Sequence, residues 1–176
     1  MADRTLAETP YLRLVDRDGW AFVERPNARE VVVIIPLNAE RRLLFVEQHR
    51  APLGRKAIEF PAGLVGDEPG LHHEETLAAA GRELLEETGY QAQTLRLVST
   101  SATSPGMTSE LVRFVLASDL TKVGAGGGTP SENIRVHEVP LRDARAWLAE
   151  RERQGLVLAA KVFAGLYFAH EAWGPG

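Results

Sequence analysis

Apolar positions along the chain follow two spacings. Short β-branched runs at residues 31–36, 43–48, 94–99 and 111–116 predict strands, and turn residues punctuate them. Residues 11–15 and 20–23 flank Asp16-Arg17-Asp18-Gly19, a hairpin turn. Residues 142–154 carry Trp147 and Leu148 at helical spacing, and residues 157–173 form a second apolar helix with Val162, Leu166 and Phe168 inward. The first ten residues read as a loose or partner-dependent tail. Between the strands and the two late helices lies the chain's strongest helical stretch, residues 74–90.

That stretch is rich in Ala, Leu, Glu and Arg, all good helix formers, and Gly89 ends it. At about 100° per residue, Leu77, Ala80, Gly81, Leu84 and Leu85 fall on one side. Glu83, Glu86 and Glu87 fall on the other, so the pattern predicts a core face and a carboxylate face. Like charges within one turn repel, and the C-terminal end of a helix disfavours negative charge. Arg82 offsets part of this through its i,i+4 relation to Glu86. A hard divalent cation would reverse the sign of the interaction, since Mg²⁺ takes carboxylate oxygens and keeps positions open for phosphate. A solvated acidic helix face is the plainer alternative.

Composition narrows the class. A chain of 176 residues with 44% hydrophobic and 25% charged residues suits one domain with a true core. The net charge of −4 weighs against a nucleic-acid backbone as partner. With no cysteine, thiol catalysis and thiolate metal sites are excluded. The N-terminus lacks a basic start followed by an apolar run, and no apolar run approaches membrane-spanning length, so a cytoplasmic protein with no membrane partner is expected. Gly124, Gly126, Gly127 and Gly128 read as a flexible loop that closes over a ligand, because no Gly-Lys-Ser/Thr of a phosphate-cradling loop follows. His49, His72 and His73 have no partner at metal-ligand spacing and read as solvated.

Glu74 with Arg82-Glu83-Leu84-Leu85-Glu86-Glu87-Thr88-Gly89-Tyr90 resembles the C-terminal part of the Nudix box of Nudix hydrolases. Glu59-Phe60-Pro61-Ala62-Gly63-Leu64 resembles the segment leading into that box, with Gly63 as its opening glycine. One departure is the run from Leu64 to His73, longer than the family pattern and containing Gly66, Pro69 and Gly70, which reads as an extended surface loop. Ser104-Pro105-Gly106, at its distance beyond Gly89, resembles an element of the ADP-ribose pyrophosphatase subgroup. Met107 and Ser109 stand where an aromatic and an acidic residue would be expected.

The resemblance implies an α/β/α sandwich with a mixed β-sheet, preceded by an N-terminal β-hairpin, all in a single domain spanning residues 1–176. It implies Mg²⁺, with Mn²⁺ as a substitute, held by Glu83, Glu86, Glu87 and the carbonyl of Ala62. It implies catalytic roles for Glu86, Arg82 and Glu132, the last as general base, with Glu138 as its rival. Arg50, Glu59, Gly63, Pro105 and Gly106 are implied to bind the substrate, Arg50 by gripping phosphate with its fork of donors. The expected reaction is hydrolysis of ADP-ribose or another ADP-sugar to AMP and a sugar phosphate. The expected assembly is a homodimer to which residues 1–28 contribute. Two other readings stay open: the same chemistry on a different nucleotide sugar or dinucleotide, and a nucleotide-binding domain without catalysis.

Overall fold

A computed structural model describes residues 3–67, 70–128 and 133–174. Strands β1 (Arg4–Glu8), β2 (Arg13–Arg17) and β3 (Trp20–Glu24) form a small antiparallel sheet. The predicted hairpin is β2–β3, turned at Asp18 and Gly19, both with positive φ. The first ten residues are not a loose tail, since β1 lies within them. All five residues of β1 are exposed, so no buried face wrote an apolar alternation into the sequence.

The body contains β4 (Glu30–Pro36), β5 (Arg42–Arg50), β6 (Arg55–Glu59), β7 (Ala62–Val65), α1 (Thr76–Thr88), β8 (Tyr90–Ala102), β9 (Leu111–Lys122), β10 (Arg135–Pro140), α2 (Ala144–Arg153), β11 (Val157–Leu158) and α3 (Ala160–Trp173). The strands make two four-stranded sheets, in the orders β7-β4-β9-β8 and β10-β5-β6-β11. Each is mixed: β4 runs parallel to β9 and antiparallel to β7, while β11 runs parallel to β6, which is antiparallel to β5. The expected mixed sheet is therefore two sheets, and the second predicted helix begins only after the short strand β11.

β4 is buried on both faces, which is why it reads as an unbroken apolar run. Val31, Val33 and Ile35 join Phe45, Phe60 and Phe114 in a core covered by Leu148 of α2 and Val162 and Leu166 of α3. Val32 and Ile34 point the other way, onto Ala79, Ala80 and Leu84 of α1. Helices thus cover opposite faces of the strand layers, giving the α/β/α sandwich.

The orientation of α1 differs from the wheel. Leu77 and Leu85 are exposed, whereas Glu87 and Thr88 are buried and Glu83 is half-buried. The apolar side chains that pack inward are Ala79, Ala80 and Leu84, and the two alanines are small enough to let the helix lie close to the strands. Glu83 and Glu87 follow on the same inward side, toward β7. The carboxylate face is therefore not opposite the core but along its edge.

Candidate active site

The site is built where the chain crosses between the two main sheets. β6 ends at Glu59 and β7 begins at Ala62. Pro61 lacks the N–H that would continue a ladder, and its carbonyl instead accepts from the N–H of Ile34 at 2.8 Å. Only a two-residue break separates the strands, and Ala62 and Gly63 belong to β7. Beside the crossing opens a groove of about 460 Å³, lined by Arg50, Glu59, Ala62, Gly63 and Glu83. Five residues singled out by the sequence therefore share one cavity.

Gly63 sits beneath Glu83. A Cβ at Gly63 would lie 1.9 Å from Cδ and 2.0 Å from Oε1 of Glu83, so only glycine leaves room for this carboxylate. Burial pushes the Glu83 carboxyl up to about 7, even though Arg82 pulls it the other way. Glu87, 3% exposed, accepts from the N–H of Ala62 at 3.2 Å. Glu86 is more open and does not line the groove.

Arg82 ties the acids together. Its Nη1 lies 2.9 Å from Glu83 and 3.4 Å from Glu86. Its Nε and Nη2 donate to the two oxygens of Glu74 at 3.1 and 3.2 Å. The longer 64–73 connection therefore still returns Glu74 to Arg82. Arg50 forks onto Glu59 at 2.5 and 2.9 Å, and Glu59 is buried.

Four groove residues had no strong signal in the sequence: Arg25, Asp67, Glu110 and Lys161. Arg25 and Glu110 pair at 2.7 Å. Asp67 comes from the extended loop, and its Oδ1 is buried without a hydrogen-bond partner. Lys161 opens α3, far along the chain from every motif. Glu110 follows the Ser-Pro-Gly turn and Asp67 lies in the extended loop, so both stood near recognised elements, unlike Arg25 and Lys161.

Pro105 and Gly106 do not line this groove. Their turn docks on β3, where the Met107 carbonyl accepts from the N–H of Val23 at 2.8 Å and the Gly106 carbonyl accepts from the Trp20 indole at 3.3 Å. Pro105 lines a separate pocket with Arg17, Trp20 and Phe22. Glu138 is also elsewhere, held by the hydroxyl of Tyr90 at 2.7 Å. Glu132 lies outside the described residues.

The glycine loop departs from expectation in its described part. Gly127 and Gly128 donate their N–H groups to the carbonyls of Glu87 and Glu86 at 2.8 and 3.0 Å, and Val123 and Gly124 donate to Gly89. The segment is pinned to the end of α1, satisfying carbonyls a helix terminus leaves open.

A divalent cation fits the chemistry of these donors. They are hard carboxylate oxygens; Glu83 and Glu86 already share one cationic atom of Arg82, and Asp67 offers an oxygen with no partner. Among the described residues, no three acidic or histidine side chains close around a single point.

With two sheets between helices, a Gly-cradled acid on α1 and an arginine hub behind it, the class is the one the sequence resembled. The NUDIX domain family model matches residues 26–159, and the chain belongs to that family. It is 34% identical over 133 residues to the methanol dehydrogenase activator of Bacillus methanolicus, covering 74% of this chain and 66% of that protein. It is 36% identical over 134 residues to an ADP-ribose pyrophosphatase of Bacillus subtilis (strain 168), covering 74% and 67%. The chain thus spans about two thirds of the length of either relative. In fold it is similar to a solved ADP compounds hydrolase, with a TM-score of 0.63, 24% identity, and coverage of 83% of this chain and 81% of that one. Among the described residues, no helix is long and apolar enough to cross a membrane.

Proposed function

We propose that the protein hydrolyses the diphosphate of a nucleoside diphosphate linked to a sugar, with ADP-ribose or a similar ADP-sugar as substrate. The observation that carries this reading is the half-buried Glu83 carboxylate over Gly63, beside Asp67 and in one groove with Arg50. The likeness to an ADP-ribose pyrophosphatase supports the choice of substrate.

In this reading Glu83, Glu86 and Glu87, with the Ala62 carbonyl, hold Mg²⁺ or Mn²⁺. When bound, the cation polarises the diphosphate oxygens and eases deprotonation of a water. Arg82 holds Glu83 and Glu86 in place, and Glu74 fixes Arg82 in turn. Arg50, oriented by Glu59, faces the phosphates from the other wall. Glu132 takes the proton of the attacking water. Water oxygen bonds to one phosphorus, the bridging P–O bond breaks, and AMP and the sugar phosphate leave.

The resemblance also brings a homodimer and a cytoplasmic location into the reading. Exposed Leu6, Tyr11, Leu12 and Trp20 on and beside the N-terminal sheet support a dimer that uses this element. The turn at Pro105 and Gly106, facing that sheet, meets substrate in the reading only where the ligand or a second copy extends past Arg25.

Nucleotide products measured with and without Mg²⁺ test the proposal. Glu86→Gln and Glu87→Gln should each lower turnover of ADP-ribose by roughly 100-fold or more. Near-normal rates in either variant would remove the metal assignment. Activity on another nucleotide sugar but not on ADP-ribose would move the substrate and keep the chemistry.

A further inference from the structure

Three cationic side chains line the groove, and they are not equivalent. Arg25 is neutralised by Glu110 at 2.7 Å. Arg50 is neutralised by the buried carboxylate of Glu59 through two bonds. Lys161 makes no ion pair and no side-chain hydrogen bond with the described residues, and the first turn of α3 holds no acid. On the acidic side, Asp67 remains after these pairings, and Glu83 shares the one guanidinium of Arg82 with Glu74 and Glu86.

We infer that Lys161 is a ligand for the diphosphate of the substrate, a role that rests on the hydrolase reading above. An anionic substrate entering this groove meets a wall that is acidic on the α1 side. A cation there serves the phosphate oxygens that approach Glu83. Those turned toward α3 need a second positive charge, and Lys161 is the groove's cation not already matched by a carboxylate among the described residues. An ammonium suits this place: a compact charge on a flexible stem, with three donors and no fixed fork, follows a phosphate through changes of geometry. The residue is half-buried and lines the groove, so ordering the side chain on binding loses less freedom than for a fully exposed lysine. Lys161 sets affinity for the diphosphate rather than the rate of bond cleavage, because it comes from α3 and not from the acidic helix α1.

Lys161→Met and Lys161→Arg test this, with melting temperature measured to confirm that each is folded. In calorimetric titration with inorganic pyrophosphate, run with and without Mg²⁺, Lys161→Met should bind roughly 10-fold or more weakly than the parent protein. Lys161→Arg should stay within about 3-fold. In steady-state assays on ADP-ribose, KM should rise in Lys161→Met by a similar factor while kcat stays within about 3-fold. Equal pyrophosphate affinity in Lys161→Met and the parent overturns the inference, as does a parent that binds no pyrophosphate. If the parent binds pyrophosphate through Lys161 yet leaves ADP-ribose intact, the inference stands and the proposed reaction falls.

Discussion

The N–H of Gly127 donates to the carbonyl of Glu87 at 2.8 Å, joining the glycine loop to the last turn of the acidic helix. Its neighbour Gly128 makes the same bond to Glu86. The loop therefore caps the two residues whose side chains the proposed reaction needs. It also brings N–H dipoles to the negative end of α1, where three glutamates have collected.

This arrangement separates two glycines in that loop. Gly126 has φ of 67°, and a Cβ there would lie 2.4 Å from the Thr88 carbonyl carbon and 2.8 Å from the Glu87 carbonyl oxygen. Those are backbone atoms and cannot swing aside. Gly126→Ala should destabilise the protein by about 1–3 kcal/mol and lower activity by disturbing the end of α1. A Cβ on Gly124 would meet nothing nearer than 3.8 Å, and Gly124→Ala should stay within about 0.5 kcal/mol. Urea midpoints for both variants check the contrast, and equal effects would contradict it.

Gly63→Ala should act differently. The atoms it would strike belong to the Glu83 side chain, which can rotate away. Stability should change by less than about 1 kcal/mol, while turnover drops by roughly 100-fold as Glu83 leaves its place. A folded Gly63→Ala protein with full activity would show that the Glu83 position is dispensable.

The unpartnered Oδ1 of Asp67 gives a third test. If it faces a cation in use, Asp67→Asn should weaken the rise in melting temperature produced by Mg²⁺ or Mn²⁺, with apparent affinity falling by about 3- to 10-fold. An unchanged cation response would mean that the extended loop serves another purpose.

Glu47 offers a pH test away from the groove. Burial by itself would raise its pKa, but bonds from Lys56 at 2.8 Å and His137 at 2.9 Å hold the carboxyl below its ordinary range. A depressed pKa in the folded state means stability present above the ordinary carboxylate pKa and lost as pH falls through the folded value. Glu47→Gln should therefore be less stable than the parent at neutral pH, with the gap closing below about pH 4. Denaturant unfolding of both proteins at the two pH values measures it, and a gap independent of pH would contradict the ion-pair account.

The strands β4, β5 and β9 were legible because burial on one or both faces leaves apolar runs. β1 was not, because an exposed strand leaves no such record. Within the site, Glu83 was legible through helical spacing, and Gly63 through the resemblance to the family's motif. The inward turn of Glu87 was not, since the helical wheel counts hydrophobicity and would not place a carboxylate inside. The backbone N–H of Ala62 is one partner that holds it there.

The sequence alone determined the acidic helix, its glycine stop and the buried strands β4, β5 and β9, because helix propensity, capping and periodicity act between residues a few positions apart. The tertiary structure decided which acids face the groove, that Glu74 returns to Arg82 across a longer loop, and that Asp67 and Lys161 meet in one cavity. Those outcomes depend on contacts between residues distant in the chain, formed when the two sheets and α3 close around their shared core, and no local spacing encodes them.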